Sequence, residues 1–190
     1  MKIFITFILL FTVSATAVQA SQPAEKLPPL EVTELGELVL EGDEFDYRQW
    51  QSEQDINKVH VLQYFPGTMA ASKTYEPFTD HLQATYELGT YHVTTIINLD
   101  AAMWGTSGFV ISEVKKSKRK FPMSTLVLDD TGKAVETWQL GKQGMGLFIL
   151  DSQGTIHFQT RDAMTDGDKA KAKAVIESLM NQQRQASLAM

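Results

Sequence analysis

Apolar residues in this chain are gathered into a few short runs, and the period within each run sets the element it predicts. Val59-His60-Val61-Leu62-Gln63-Tyr64-Phe65 is rich in β-branched and aromatic residues and stops at Pro66-Gly67, which predicts a strand running into a turn. From about Ser72 to Ala84, Phe78 and Leu82 lie four apart, as on one helical face, and Pro77 is expected to kink that helix. His92 to Leu99 predicts a second strand, apolar enough to be central. Ser107 to Lys120 predicts a helix with Val110 and Val114 on its apolar side and a cluster of cations, Lys115 to Lys120, at its C-terminal end. Phe121-Pro122 ends it.

The second half reads as hairpins. Ser124 to Leu128 predicts a strand, Asp129-Asp130-Thr131-Gly132 a turn and Lys133 to Leu140 a return strand. Gly146 to Leu150, the turn at Asp151-Ser152-Gln153-Gly154 and Thr155 to Gln159 repeat the pattern. Thr165 with Asp168 three residues on is a capping-box variant opening a last helix, whose stripe is Val175, Ile176 and Leu179. The order is β-α-β-α-β-β-β-β-α. Alternation in its first half implies parallel strands with crossover helices, and the hairpins imply antiparallel edges. The expected fold class is therefore α/β, a mixed sheet flanked by helices.

The N-terminus changes the picture of where the chain works. Lys2 precedes Ile3 to Val13, an almost unbroken apolar run, and Val18-Gln19-Ala20 fits the small-x-small pattern of signal peptidase. The run is about half the roughly 20 residues a membrane span needs. Cleavage is expected after Ala20, with Ala17 the next site, leaving no stable membrane anchor. The expected organisation is a signal peptide over residues 1–20, an extended acidic lead-in over 21–35, a domain over 36–184 and a tail over 185–190.

Among the 190 residues there is no cysteine. An exported chain of this kind has no disulfide, no cysteine nucleophile, no CxxC pair and no cysteine-ligated zinc or iron–sulfur centre. Its formal net charge is −6, which disfavours nucleic acid as a partner. Eight acids lie between Glu25 and Asp46 against one cation, Lys26, and with Pro23, Pro28 and Pro29 they predict a solvated, partly disordered approach to the domain.

The strand, Pro-bearing helix and late hairpins before a terminal helix resemble the thioredoxin superfamily, in particular its peroxiredoxin-like and TlpA-like members. In Tyr64-Phe65-Pro66-Gly67-Thr68-Met69-Ala70-Ala71-Ser72-Lys73, the superfamily's CxxC would fall on Met69 to Ser72 and its cis-proline near Met145. Neither cysteine and no such proline is present, so redox activity does not carry over. A narrower resemblance rests on Thr94 to Thr106, Ser117-Lys118, Phe121-Pro122 and Trp138-Gln139-Leu140, which are similar to the YtfJ-like family of exported bacterial proteins. That resemblance implies a periplasmic location and leaves the biochemical role open. The regulatory role suggested by some family names sits poorly with an acidic, exported chain.

By the same resemblance, ligands are expected where the first strand's loop meets the next helix, Gly67 to Lys73. Backbone N–H groups converge at such a helix start. The loop after the adjacent strand should open at the same sheet edge. The candidate binding residues are thus Met69, Ser72, Lys73, Asn98, Asp100, Trp104, Thr106 and Met145, with Lys73 and Asp100 as a polar pair and Trp104 as a flat contact surface. Ser72 lacks a nearby base, so no catalytic residue is named. His60, His81, His92 and His157 show no metal-ligand spacing, and no metal or cofactor is expected. The expected partner is an envelope protein or an extended peptide, with an enzyme of non-thiol chemistry in the same cleft as the alternative. The oligomeric state is left open.

Overall fold

A computed structural model describes residues 25–53 and 57–189; the apolar run and both cleavage points lie outside the described residues. The elements are β1 (Glu31–Glu41), β2 (Glu44–Gln51), β3 (Val59–Pro66), α1 (Met69–Ser72), α2 (Glu76–Thr85), β4 (Tyr91–Asn98), α3 (Ser107–Lys120), β5 (Thr125–Asp129), α4 (Ala134–Thr137), β6 (Gly146–Leu150), β7 (Ile156–Thr160) and α5 (Asp166–Leu188). The strands join in one sheet of order β2-β1-β5-β4-β3-β6-β7. β3, β4 and β5 are parallel neighbours, and β6 and β7 return antiparallel on the other side of β3.

β3 is buried along nearly its whole length because both of its faces are covered. Val59, Val61 and Phe65 meet Phe78 and Leu82 of α2, Val114 of α3 and Ile176 and Leu179 of α5. Leu62 and Tyr64 point the other way, into a second layer with Ile96, Val127 and Phe148, closed by Trp138, Leu140, Leu30 and Trp50. Burying such side chains contributes about 1.5–3 kcal/mol each, so these two layers carry most of the stability. The α5 cap forms as its sequence predicts. Thr165 Oγ1 accepts from the Asp168 amide at 3.1 Å, and the Asp168 carboxyl accepts from the Thr165 amide at 3.0 Å. The helix then runs on to Leu188, past the point where a tail is expected.

Three expectations need correction. Residues 31–35, the end of the expected lead-in, and the acids that follow them to Asp46 lie in the hairpin β1–β2 rather than in a solvated approach, with Leu38 opposite Tyr47 and Leu40 opposite Phe45. Its acids alternate outward with apolar residues inward, so the charge run is one face of a strand pair. Gly36 permits this geometry: its φ is 72°, and a Cβ there would overlap the Arg48 carbonyl oxygen. Secondly, Lys133 to Leu140 is not a return strand. The turn after Asp129 leads into the short helix α4, which places Ala134 and Trp138 together in the second layer. Only the later of the two expected hairpins exists. Thirdly, Pro77 does not kink a helix. It occupies the first turn of α2, where its missing N–H leaves nothing unpaired, after α1 has already ended at Ser72.

Two cations of α3 rest on the same hairpin. Arg119 lies 4.6 Å from the centre of the Phe45 ring and donates to the Asp43 carbonyl at 2.9 Å. Lys115 sits 5.3 Å from the Phe45 centre. Lys118 is buried, donating to the Ser124 carbonyl at 2.8 Å, and desolvation there lowers its pKa. Lys115 and Arg119 thus pack α3 onto β1–β2.

Candidate functional site

The sheet register sets out the edge where the candidate residues lie. Pro66 pairs with Asn98 across the parallel strands, and Tyr64 pairs with Gly146 across the antiparallel ones. The ends of β3 and β4 and the start of β6 therefore lie side by side. The Gly67 amide donates to the Asn98 carbonyl at 2.8 Å, which ties the first loop to the second. A Cβ on Gly67 would crowd that carbonyl, so glycine keeps the two loops in register.

Within this edge the eight residues play different parts. Met69 is exposed, and Ser72 and Lys73 are exposed beside it on α1. Ser72 Oγ donates to the Met69 carbonyl at 3.0 Å. Among the described residues none of the four histidines pairs with Ser72; those four bond Thr94, Thr85, Thr125 and Asp151. Asn98 is buried, and its Oδ1 accepts from the Ala101 amide at 3.1 Å, so it shapes the turn from inside. Thr106 is the N-cap residue of α3 and donates to the Met103 carbonyl at 2.7 Å. Met145 is half-buried against the larger apolar layer.

Trp104 stands apart from all of these, with its side chain wholly in solvent. Met103 before it is 73% exposed, and Phe109 one turn into α3 is 57% exposed. Trp50 and Trp138, by contrast, are buried.

The expected pairing of Lys73 with Asp100 does not form. Lys73 lies at the mouth of a cavity between α2 and α3, together with Met69, Ser72 and Phe109. Asp100 lies in a separate cleft with Asn98, Gly132 and Lys133, beside the turn after β5. The loop before α1 supplies a cap of its own. α1 is a single turn, and Thr68 Oγ1 already accepts from the Ala71 amide at 3.2 Å.

Two buried polar constellations were not legible beforehand. Tyr64 Oη donates to Asp129 Oδ2 at 2.9 Å, and Asp129 Oδ1 accepts from the Thr131 and Gly132 amides at 3.1 and 3.0 Å. Both side chains are fully buried. Burial, then the Asp129 carboxyl, pushes the Tyr64 phenol far above its usual range, so Tyr64 keeps its proton and donates a hydrogen bond to Asp129. The second is His60, whose ring stands 5.4 Å from that of His92 and whose Nε2 lies 2.7 Å from Thr94 Oγ1. Burial, then the His92 charge, lowers its pKa to about 3. Among the described residues no group of three or more His, Cys, Asp or Glu side chains is placed to hold a metal ion.

This architecture is that of a thioredoxin-like protein without thiols: three central parallel strands, an antiparallel return and helices on the faces. A putative thiol:disulfide interchange protein DsbE from Chlorobium tepidum superposes with a TM-score of 0.57 over 85% of this chain and 99% of its own, at 14% identity. A putative protein disulfide isomerase from Bacteroides thetaiotaomicron does so at 0.59 over 87% and 94%, at 16% identity. At such identities the likeness concerns the fold alone. Residues 21–182 match the family described as bacterial protein of unknown function (YtfJ_HI0045), and the chain belongs to that family. The uncharacterized protein YtfJ of Escherichia coli K12 is 31% identical over 180 residues, covering 94% of this chain and 97% of the relative.

Proposed function

We propose that this protein is a periplasmic binding protein of the thioredoxin fold, exported by its N-terminal apolar run, that engages an envelope protein or an extended peptide without redox chemistry. The observation that carries the reading is the exposure of Met69, Met103, Trp104 and Phe109 at one end of the sheet. Isolated apolar residues are ordinary on a surface, but several large ones at one functional edge mark a contact site. Tryptophan in particular supplies much contact area for little lost side-chain entropy. Methionines at 69, where the superfamily has a cysteine, and 145, near its cis-proline, give adaptable apolar contacts.

The reading separates binding from stability at Trp104. Its side chain packs against nothing that folding must preserve, so Trp104→Ala should change the unfolding free energy by no more than about 0.5 kcal/mol. A loss of roughly 3–5 kcal/mol in urea denaturation would mark it instead as a packed core aromatic. Export is tested by fractionation of cells producing the full chain. A protein shortened at Ala20 or Ala17 and released with periplasmic contents supports the reading; an uncleaved cytoplasmic protein overturns it.

A further inference from the structure

Strands in the middle of a sheet are usually sealed by helices, yet Val93 and Thr95 of β4 are only half-buried. Above them, between α2 and α3, lies a cavity of about 400 Å³. It arises because α3 offers little apolar surface to close the gap. Only Val114 and Lys118 of that helix are buried, while Glu113, Ser117 and Lys120 face the opening. Phe65, Ile97, Val110 and Leu126 supply apolar walls.

The floor breaks this pattern. Gln63 is the one polar residue that β3 sends to this face between Val59, Val61 and Phe65, and it is 7% exposed. Its Nε2 donates to Thr95 Oγ1 at 2.6 Å, while its Oε1 has no partner among the described residues. An unpaired buried carbonyl is destabilising, and an aliphatic residue at 63 would avoid that cost. The carbonyl is covered by its neighbours; the broad terminal torsion of glutamine lets the amide turn to bring it to a donor, with Nε2 giving up its bond to Thr95 as it does so.

We propose that this cavity is a binding site for a small neutral molecule with an apolar body and one hydrogen-bond donor, received by Gln63 Oε1. Neutrality follows from the lining. Charged residues stand only at the rim, Lys73 and Lys120 against Glu76, Asp80 and Glu113, so a buried ionic group would find no counter-charge. The volume lies near the lower end of ligand pockets, about 300–1,000 Å³, and suits a one- or two-ring molecule. Met69 and Phe109 line both this mouth and the partner surface, but the site stands on Gln63 and is read without any partner protein.

The test compares indole, a bicycle with one N–H donor, with benzothiophene, which has nearly the same shape and none. Each is titrated into the mature protein and followed by NMR. Indole should bind about tenfold more tightly, as expected for one hydrogen bond to a buried acceptor, and should shift the Gln63 side-chain amide and the methyls of Val93 and Leu126. Gln63→Leu should bring the two affinities within about twofold. Val110→Phe, made from α3 without touching the sheet, should abolish binding of both. Equal affinities in the wild type, absence of binding, unchanged preference in Gln63→Leu, or unchanged binding in Val110→Phe would each overturn the proposal. Should Gln63→Leu not fold, the wild-type comparison and Val110→Phe still decide.

Discussion

Asp129→Ala is expected to lower the unfolding free energy by at least about 3 kcal/mol. The carboxyl ends β5 inside the second apolar layer, where it accepts from the Tyr64 hydroxyl and from two amides of the following turn. Its removal leaves a fully buried phenol donor with no acceptor and loosens the turn that leads into α4. A hydrogen bond to a charged group contributes about 1.5–3 kcal/mol, and a stranded buried donor costs about 1–3 kcal/mol. Asp129→Asn should cost less, because its carbonyl still serves the turn amides. Urea denaturation measures both. A loss below about 1 kcal/mol for Asp129→Ala would show that Tyr64 and the turn are not held this way.

His60 predicts an acid limit to stability. Its pKa is about 3 in the fold, against about 6.5 in an unfolded chain. Between those values the unfolded chain takes up a proton that the folded protein refuses. The stability due to a neutral His60 is therefore complete above pH 6.5 and is lost as the pH falls towards 3. The slope approaches about 1.4 kcal/mol for each pH unit within that window. His92 is the titratable neighbour at 5.4 Å, and its charge adds to the effect. In His60→Leu the dependence over this window should flatten. Measured from pH 7 to pH 4, a wild type no steeper than the variant would contradict the assignment.

What was legible in the sequence had local causes. α3 lies where its spacing and its Phe121-Pro122 stop place it, and the α5 cap is written in Thr165 and Asp168. β3 and β4 arise from dense β-branched and aromatic runs. The hairpin β1–β2 was hidden because its outward faces are acidic, and the six acids its strands carry look like a solvated tail until their partners are seen. Asp129-Asp130-Thr131-Gly132 reads as a turn, and a turn it is. The conformation of residues 133–140 is set by Trp138, which must reach Phe148 and Tyr64 across the second layer, and α4 delivers it there. That is a tertiary demand with no local mark.

The candidate site was legible only in part, for the same reason. Strand order places the three loops at one edge, and the exposed methionine at 69 could be foreseen from a lost redox position. That Asn98 would turn inward, or that Lys73 and Asp100 would lie in different clefts, depends on side-chain directions fixed by packing. The cavity over Gln63 is built from three distant segments. Its only local trace is one glutamine in an otherwise apolar face, and a strand glutamine ordinarily passes for a surface residue.

The central claim is that the edge bearing Met69 and Trp104 receives a partner in the cell envelope. Its most direct measurement is crosslinking in living cells from a photoreactive residue placed at 69 or 104, with exposed Lys171 on α5 as the control position. The account predicts discrete adducts of the same partner from 69 and 104 and none from 171. Indistinguishable background from all three positions would contradict it.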